Sequence, residues 1–270
     1  MQPNANPKVS ILIPSFNEAP ATIRESLDAI KAQIFQDYEC LVIDESTDPV
    51  KAMAIQDECA NDPRFRYLHP DYRLGLAGSL NLGLGLARGA FLARCDADDI
   101  SLPDRLDLQV QYLDNHPEVG VLGGAMEIID DNGCTTGLRA YPLRHEDIES
   151  SMMLTNAMAH PTVMFRRDLP ERYGAYDPAF KFSEDLELWL RWLNAGVRFA
   201  NLPDTLLKYR QQVTSRHSDN WRFNLMARKR HYNKRRLLLR TAGIVGVAVW
   251  SRIPKPMQEY LFRAVMFSRK

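Results

Sequence analysis

The first 115 residues alternate short apolar runs with segments whose apolar residues recur every three or four positions. Apolar runs rich in β-branched residues predict buried strands, and the recurring spacing predicts amphipathic helices. The four predicted strands are residues 9–13, 39–43, 65–68 and 90–93, the first of them ended by Pro14. Strands that alternate with helices at this spacing form right-handed βαβ units. We therefore predict an α/β fold with a mostly parallel, Rossmann-like central sheet flanked by helices.

The pattern changes after about residue 115. Short strands are predicted at 119–122, 126–129 and 135–138, and the Asp-Asp-Asn-Gly stretch at 130–133 favours a hairpin turn between the last two. A further strand, entered from a constrained turn, is predicted at 160–165, and a helix with one buried face follows Ser183. We expect residues 1–115 to carry the parallel sheet, residues 116–210 to form a smaller antiparallel lobe of the same domain, and residues 211–270 to form a helical extension.

Charge is unevenly distributed along the 270 residues, although 34 basic side chains balance 34 acidic ones. Residues 1–206 hold 18 Lys and Arg against 32 Asp and Glu, whereas residues 207–270 hold 16 against 2. The basic part is interleaved with aromatic and aliphatic residues, which is typical of an amphipathic element on an anionic membrane surface. Packing on the rest of the chain and oligomer contacts are the alternatives. A nucleic-acid partner is not expected, because no recognition motif accompanies the charge.

Four cysteines, Cys40, Cys59, Cys95 and Cys134, are too far apart in sequence for a paired-cysteine metal motif. Reduced cysteines favour the cytoplasm. The polar amino terminus does not resemble a signal peptide, and the apolar run 241–251 is shorter than the roughly 20 residues of a membrane-spanning helix. We expect a cytoplasmic protein, peripheral at the inner face of the cell membrane.

Polar residues follow the predicted parallel strands at the points where the strands end. Ser15 to Glu18 follow the first strand, Asp44 follows the second, and the acids of 96–99 (Asp-Ala-Asp-Asp) follow the fourth. Each group alone is compatible with a turn or a helix cap. Ligands of parallel α/β sheets bind at the carboxyl ends of the strands, so the joint placement indicates one ligand site. Clustered carboxylates there need a cation or a positively charged partner.

Several of these stretches together match one known family. They are 9–18 (VSILIPSFNE), 42–48 (VIDESTD), 91–100 (FLARCDADDI), 160–163 (HPTV) and 183–185 (SED). In these motifs and their order the sequence resembles the family 2 glycosyltransferases with the GT-A fold, particularly bacterial enzymes that build surface polysaccharides. The resemblance implies an inverting transfer from a nucleoside diphosphate sugar, with UDP, GDP or dTDP as the nucleotide. The acceptor is expected to be a hydroxyl of a saccharide or of a lipid-linked saccharide.

The resemblance also implies roles for individual residues. Pro14 and Phe16 border the nucleotide base, Glu18 lies in the same loop, Asp44 binds the base or ribose, Asp96 lies near the ribose, and Asp98 with Asp96 holds Mg2+ or Mn2+. Asp185 matches the general base that takes the proton from the acceptor hydroxyl. His160, Glu184, Trp189 and Arg210 are expected to line the acceptor side of the pocket. A contact of His217 with metal or phosphate is left open.

Two other functions remain as alternatives at this point. A nucleotidyltransferase that makes sugar nucleotides shares the α/β nucleotide domain and the metal-binding carboxylates. It needs a glycine-rich, basic loop after the first strand, and residues 14–18 (PSFNE) are neither. A non-catalytic, membrane-associated binding module is predicted by the basic C-terminal part alone.

Overall fold

The computed structural model describes residues 6–211, 219–254 and 257–258. Its strands are β1 (Val9–Ser15), β2 (Tyr38–Asp44), β3 (Phe65–Leu68), β4 (Phe91–Arg94), β5 (Ile100–Ser101), β6 (Val119–Ile129), β7 (Thr135–Arg139), β8 (Met164–Arg166) and β9 (Arg198–Arg210). Its helices are α1 (Pro20–Lys31), α2 (Pro49–Ala60), α3 (Gly75–Leu86), α4 (Arg105–Asn115), α5 (His145–Met152), α6 (Asp168–Tyr173), α7 (Glu184–Asn194), α8 (Asp219–Arg230) and α9 (Leu237–Trp250).

The strands of the described residues form one sheet in the order β3-β2-β1-β4-β8-β6-β9-β5, with β7 paired to β6. The pairs β3–β2, β2–β1 and β1–β4 are parallel, as the βαβ pattern predicts. The antiparallel pairs β4–β8, β8–β6, β6–β7 and β9–β5 all involve the second half of the sheet. The long pair β6–β9 in that half is parallel, however, so the lobe expected to be antiparallel is mixed. The predicted α/β class with a mostly parallel sheet is confirmed.

Strand β1 does not end at Pro14, which corrects the sequence expectation. It continues to Ser15, and Pro14 pairs with Ile43 of β2. The oxygen of Leu12 accepts a hydrogen bond from Cys95, so Leu12 and Pro14 both face the β4 side, where the pairing ends at Leu12. A proline is tolerated there because no β4 carbonyl requires its missing N–H.

The acidic stretch after β4 connects two distant parts of the sheet. It leaves the central strand at Arg94 and enters β5, whose residues pair with Lys208 and Leu207 of β9. Arg105 is fully buried and stabilises this turn. Its guanidinium donates to the backbone carbonyl oxygen of Arg94 at 2.7 Å and to the hydroxyl of Ser101 at 3.1 Å. The acids are thereby held against the edge of the sheet where β9 ends.

Two further expectations for the second half were wrong in detail. Residues 119–129 form one strand, because β6 pairs with the 13-residue β9 and irregularities in the register absorb the glycines. Residues 160–162 form a 3-10 turn, and only Met164–Arg166 is strand. Pro161 in this turn lacks the N–H that a strand ladder would use.

Helices cover both faces of the sheet. One core lies between the sheet and α1, α2 and α4, and the other contains α3, α5, α7 and part of α8. Gly83 allows close packing of α3 on the sheet, since a Cβ there would lie 3.0 Å from the side chain of Leu12 and 3.1 Å from that of Ile43.

The C-terminal helices α8 and α9 pack on the rest of the chain. Ala227 is fully buried in the same core as α7, and Arg228 donates to the carbonyl oxygens of Met152 at 3.0 Å and Met153 at 2.5 Å. Glu149 accepts from Arg235 and Arg236 at 2.6 and 2.8 Å. Much of the basic charge is therefore used in internal contacts. None of the helices in the described part of the chain combines the length and apolar character that a membrane crossing requires.

Candidate active site

A cleft of about 790 Å³ opens at the carboxyl end of the central strands. It is bordered by the acidic loop after β4, by the first turn of α7 and by the extension helices. Six of the residues predicted from sequence line it, and they are Asp96, Asp98, His160, Glu184, Asp185 and Arg210. The cleft thus joins residues separated by up to 114 positions in the sequence.

The other predicted donor residues lie on the neighbouring loops and not in the lining of this cleft. Phe16 is partly exposed, and the guanidinium of Arg73 lies 3.5 Å from its ring centroid. Asn17 adopts φ of 56° and accepts from the backbone N–H groups of Thr47 and Asp48 at 3.0 and 3.1 Å. The loops after β1 and β2 are therefore tied into one surface.

Asp44 is completely buried at the end of β2. One carboxylate oxygen accepts from the hydroxyl of Ser46 at 2.6 Å and from its N–H at 3.1 Å, and the other accepts from Tyr67 at 3.0 Å. Both oxygens are engaged by protein groups, so Asp44 fixes the shape of the loop after β2. A direct contact with a base or ribose would require one of these partners to move.

Asp96 forms a two-pronged ion pair with Arg94 of β4. Arg94 Nη1 lies 2.6 Å from one carboxylate oxygen, and Nη2 contacts the other. Arg94 is only 4% exposed, so the pair is largely shielded from water. Paired geometry of this kind holds a carboxylate in one orientation.

Asp98 and Glu18 are less well compensated. Burial and the negative charge of Asp96 raise the pKa of Asp98 to about 6. Burial, Asp98 and Asp96 raise the pKa of Glu18 to about 7. One oxygen of neighbouring Asp99 is buried without a hydrogen-bond partner. A cation among these acids would offset their mutual repulsion.

The donor set fits Mg2+ or Mn2+ shared with a phosphate ligand. Within residues 6–211, 219–254 and 257–258, no group of three or more His, Cys, Asp or Glu is placed to hold a metal by itself. Mg2+ is commonly held by one or two carboxylates together with substrate phosphates and water. Asp98 is the better ligand of the two predicted, since both oxygens of Asp96 are shared with Arg94.

Arg210 closes the cleft at the end of β9. Its backbone N–H donates to the carboxylate of Asp99 at 3.0 Å. Its guanidinium donates to the backbone carbonyl oxygen of Asp98 at 3.2 Å and to the carboxylate of Glu25 in α1 at 2.7 Å. The same side chain reaches the Asp130 and Asp131 carbonyls at 3.3 and 3.2 Å. Arg210 therefore connects the acidic loop, α1 and the β6–β7 turn.

The lining of the cleft also includes two adjacent acids at the start of α7, Glu184 and Asp185. Ser183, just before them, has φ of 56° and donates to Asn220 of α8 at 2.7 Å. Burial, then the charge of Asp185, raises the pKa of Glu184 to about 8. Burial also raises the pKa of Asp185, but hydrogen bonds from Leu186 and Asn156 oppose that shift. The raised pKa favours the protonated form of Glu184, whereas the two hydrogen bonds favour the ionised form of Asp185.

His160 also lines the cleft and is largely buried. Its Nε2 lies 2.8 Å from the hydroxyl of Tyr176, and its Nδ1 lies 3.9 Å from Glu184. Burial and the charge of Arg94 hold the pKa of His160 well below its usual range, so the imidazole is neutral. Trp189 corrects an expectation: it is 0% exposed and packs edge-on against His160 from the core side, so it supports the cleft without lining it.

Residues 10–174, more than half of the chain, match the model of the family described as "Glycosyl transferase family 2". The chain belongs to glycosyl transferase family 2.

Relatives and solved structures agree with this membership. The glycosyltransferase is 33% identical over 202 residues to the amylovoran biosynthesis glycosyltransferase AmsE of Erwinia amylovora, covering 74% of this chain and 75% of AmsE. It is 29% identical over 217 residues to the UDP-Glc:alpha-D-GlcNAc-diphosphoundecaprenol beta-1,3-glucosyltransferase WfgD of Escherichia coli, covering 79% and 81%.

The fold of the transferase is also found in the mannosyltransferase PcManGT of Pyrobaculum calidifontis, solved in complex with GDP-Man and Mn2+. The TM-score is 0.65 at 19% identity, over 98% of this chain and 81% of that chain. The GT-A fold predicted from the sequence is confirmed. Membership in the family also sets aside the nucleotidyltransferase and the non-catalytic module.

Several residues of the glycosyltransferase site were not predicted from its sequence. Arg94 reads as part of a strand, yet it pairs with Asp96. Glu45 accepts from the N–H groups of Leu74 and Gly75 at 2.7 and 3.0 Å and so caps α3. Asn156 donates to Asp185 at 2.6 Å. Asn156 and Asp185 are 29 positions apart, and no local sequence pattern predicts their contact. His217 lies outside the described residues.

Proposed function

We propose that this protein is an inverting, metal-assisted glycosyltransferase that moves a sugar from a nucleoside diphosphate sugar to a saccharide or lipid-linked saccharide hydroxyl. The observation that carries the proposal is that Asp98 and Asp185 line the same cleft. The acids of the loop after β4 suit a diphosphate with its cation, and Asp185 offers a hydrogen-bonded carboxylate. The names of AmsE and WfgD support a role in polysaccharide synthesis.

The donor half of the proposed site comprises residues 1–115. Phe16 and Pro14 border the base, Asp44 shapes the loop beside it, and Asp96 and Asp98 face the ribose and diphosphate. Mg2+ or Mn2+ bound at Asp98, with Asp96 beside it, supplies charge neutralisation that makes the diphosphate a better leaving group. UDP and GDP are the favoured nucleotides, because the names of WfgD and of the PcManGT complex contain them.

Asp185 is the proposed general base. The acceptor oxygen forms its bond to the anomeric carbon on the face opposite the diphosphate, the bond to the diphosphate oxygen breaks with its electron pair, and the acceptor proton passes to Asp185. A single displacement of this kind inverts the anomeric centre. Neutral Glu184 avoids a second negative charge beside the base, and its proton allows hydrogen bonding within the cleft.

The acceptor half comprises residues 116–210, with His160, Glu184 and Arg210 around the reacting hydroxyl. Neutral His160, which lines the cleft and is bonded from behind by Tyr176, can exchange hydrogen bonds with sugar hydroxyls. The cleft continues to Trp221 and Val247 of the extension. A lipid-linked acceptor would pass from the cleft along this side.

Residues 211–270 are the proposed membrane-binding part, at the inner face of the cell membrane. Helix α9 leaves Leu238 85%, Val245 55% and Val249 57% exposed on one side. Exposed cations of the extension that contact no acid among the described residues are Arg222, Lys229, Lys234 and Arg252. Exposed apolar side chains on one side of α9, together with exposed cations in the same part of the chain, fit anionic lipid.

The catalytic assignment is tested with Asp185→Asn and a matched Asp104→Asn, which changes an exposed Asp at the start of α4. Both are assayed with UDP-, GDP- and dTDP-sugars for release of the nucleoside diphosphate and for acceptor transfer. Asp185→Asn should lower the rate at least about 100-fold, within the range for loss of a general base. Wild-type transfer by Asp185→Asn would refute the assignment.

The metal assignment is tested separately by calorimetry. Binding of UDP or GDP is titrated with and without Mn2+ for the wild type, Asp98→Ala and Asp104→Ala. Mn2+ should strengthen nucleotide binding in the wild type and in Asp104→Ala but not in Asp98→Ala. An unchanged Mn2+ effect in Asp98→Ala would remove Asp98 from the metal site.

Flotation with vesicles tests the membrane proposal. The full chain should float with phosphatidylserine-containing vesicles and not with pure phosphatidylcholine vesicles. Leu238→Glu with Val245→Glu should abolish flotation, whereas Val50→Glu, on the 67% exposed Val50 of α2, should not. Equal flotation of all three proteins would contradict lipid binding through α9.

A further inference from the structure

The carboxylate of Asp185 is held at both oxygens. Oδ1 accepts from the backbone N–H of Leu186 at 2.7 Å, and Oδ2 accepts from the side-chain amide of Asn156 at 2.6 Å. The first contact belongs to α7 itself. Asn156 is supplied by a different segment, between α5 and the 3-10 turn at His160–Thr162.

Asn156 is itself oriented by its surroundings. Its Oδ1 accepts from the backbone N–H of Met158 at 3.3 Å, which directs the amide nitrogen towards Asp185. The following residues Ala157 and Met158 are buried, and the oxygen of Ala157 accepts from Asn201 of β9 at 3.2 Å. The segment is therefore anchored in the core, while Asn156 reaches the cleft.

In the described part of the chain, the charged and titratable groups that interact with Asp185 include Arg94, Glu184 and Tyr176. Arg94 of β4 favours the ionised carboxylate, whereas Glu184 of α7 disfavours it if charged. Tyr176, from the loop before α7, is neutral because burial raises its pKa far above the physiological range. Burial raises the pKa of Asp185, and the hydrogen bond from Asn156 acts in the opposite direction.

We propose that Asn156 is the positioning residue of the general base: its amide holds the Asp185 carboxylate ionised and turned into the cleft. The inference rests on the proposed role of Asp185 in transfer. A donor to a charged acceptor is among the stronger hydrogen bonds in proteins, and it stabilises only the ionised form. Asn156 does not contact the reacting atoms, so it acts through Asp185.

The test is the pH dependence of kcat in Asn156→Ala and Asn156→Asp. The base is active when ionised, so kcat rises with pH through the apparent pKa of the Asp185–Glu184 pair. Loss of the amide should move this acidic limb upward by about one pH unit, the scale of one charge-assisted hydrogen bond. At pH values below the apparent pKa, kcat of the variant should be about tenfold lower than that of the wild type. At pH values above it the two kcat values should be equal, and KM for the donor should be the same throughout.

Asn156→Asp sharpens the test because it keeps the shape of the side chain. A carboxylate in place of the amide should shift the limb further than alanine does. Asn61→Ala is the matched control: it removes an exposed asparagine side chain that bonds to Asp57 O at 3.0 Å, far from the cleft. It should leave the limb in place. A merely structural role for Asn156 would lower kcat equally at all pH values.

The outcomes separate the two proposals. If Asp185→Asn abolishes transfer but neither Asn156 variant moves the limb, the positioning role is overturned and the base assignment stands. If Asp185→Asn transfers normally, the proposed function fails before Asn156 is considered. If Asn156→Ala does not fold, the shift in Asn156→Asp decides, and an unmoved limb there refutes the inference.

Discussion

Gly243 provides a sharp test of how the extension docks on the catalytic body. A Cβ at this position of α9 would lie 1.9 Å from the carbonyl oxygen of Met153 and 3.3 Å from Arg228 Nη1. The obstacle is backbone, which cannot rotate away. An ordinary carbon–oxygen contact is about 3.3 Å, so Gly243→Ala must displace α9 by about 1.4 Å.

The cost of this displacement can be worked out against a control on the same helix. Gly246 has no heavy atom within 4 Å of its virtual Cβ, so Gly246→Ala meets no obstacle. Both variants gain about 1 kcal/mol of helix propensity, so their difference isolates the clash. Overpacking costs about 1–3 kcal/mol, and weakened Arg228 hydrogen bonds add about 1 kcal/mol or more. Gly243→Ala should be about 2–4 kcal/mol less stable than Gly246→Ala.

Thermal unfolding followed by far-UV circular dichroism measures this difference. At about 2 °C per kcal/mol for a chain of this size, the two midpoints should differ by about 4–8 °C. Limited trypsin digestion should cut the extension faster in Gly243→Ala, because its basic residues become accessible. Equal midpoints and equal digestion would refute the close contact between α9 and Met153, and with it the docked arrangement.

Three further outcomes are expected. Gly89→Ala would place a Cβ 2.4 Å from the backbone nitrogen of Ser10, so it should cost about 3 kcal/mol or more in denaturant unfolding, whereas the unobstructed Gly85→Ala should not. Although burial opposes it, hydrogen bonds from His231 and Arg191 lower the pKa of Glu187 to about 2. Its stabilising effect is present above its unfolded pKa of about 4.3 and is lost as the pH falls towards 2, so Glu187→Gln should flatten the stability profile there. Chelation should stop transfer, and Mn2+ or Mg2+ should restore it; full activity in a chelator would contradict a metal role.

The first half of the fold could be predicted because each of its strands and helices follows from a pattern of neighbouring residues. The strands and the helices between them are each encoded within 4 to 12 residues, and parallel βαβ connection leaves little freedom in how they assemble. The same logic placed Asp98 at the carboxyl edge of the sheet. Strand β6 was divided in the prediction because Gly123 and Gly124 interrupt its apolar run, although pairing with β9 carries the strand through them.

Contacts between distant segments account for what the sequence could not reveal. Trp189 shares its helix with Asp185, and only the packing of α7 decides that the tryptophan faces the core while the acid faces the cleft. Asn156 has ordinary sequence surroundings, and its contact with Asp185, 29 positions away, exists only once the chain is folded. Acidic residues at a strand end predict a site, but the residue that orients the Asp185 carboxylate comes from a distant segment of the chain.

The opposite charges of the two ends of the chain are resolved partly inside the molecule. An excess of cations after residue 206 predicts an anionic partner, and the nearest anionic surface is the body of the protein itself. Glu149 forms ion pairs with Arg235 and Arg236, and Asp177 forms one with Arg230. Cations committed to these contacts cannot also bind lipid without undocking α8 and α9. A membrane role must therefore rest on the exposed cations and on the apolar side of α9, and docking and lipid binding can then occur together.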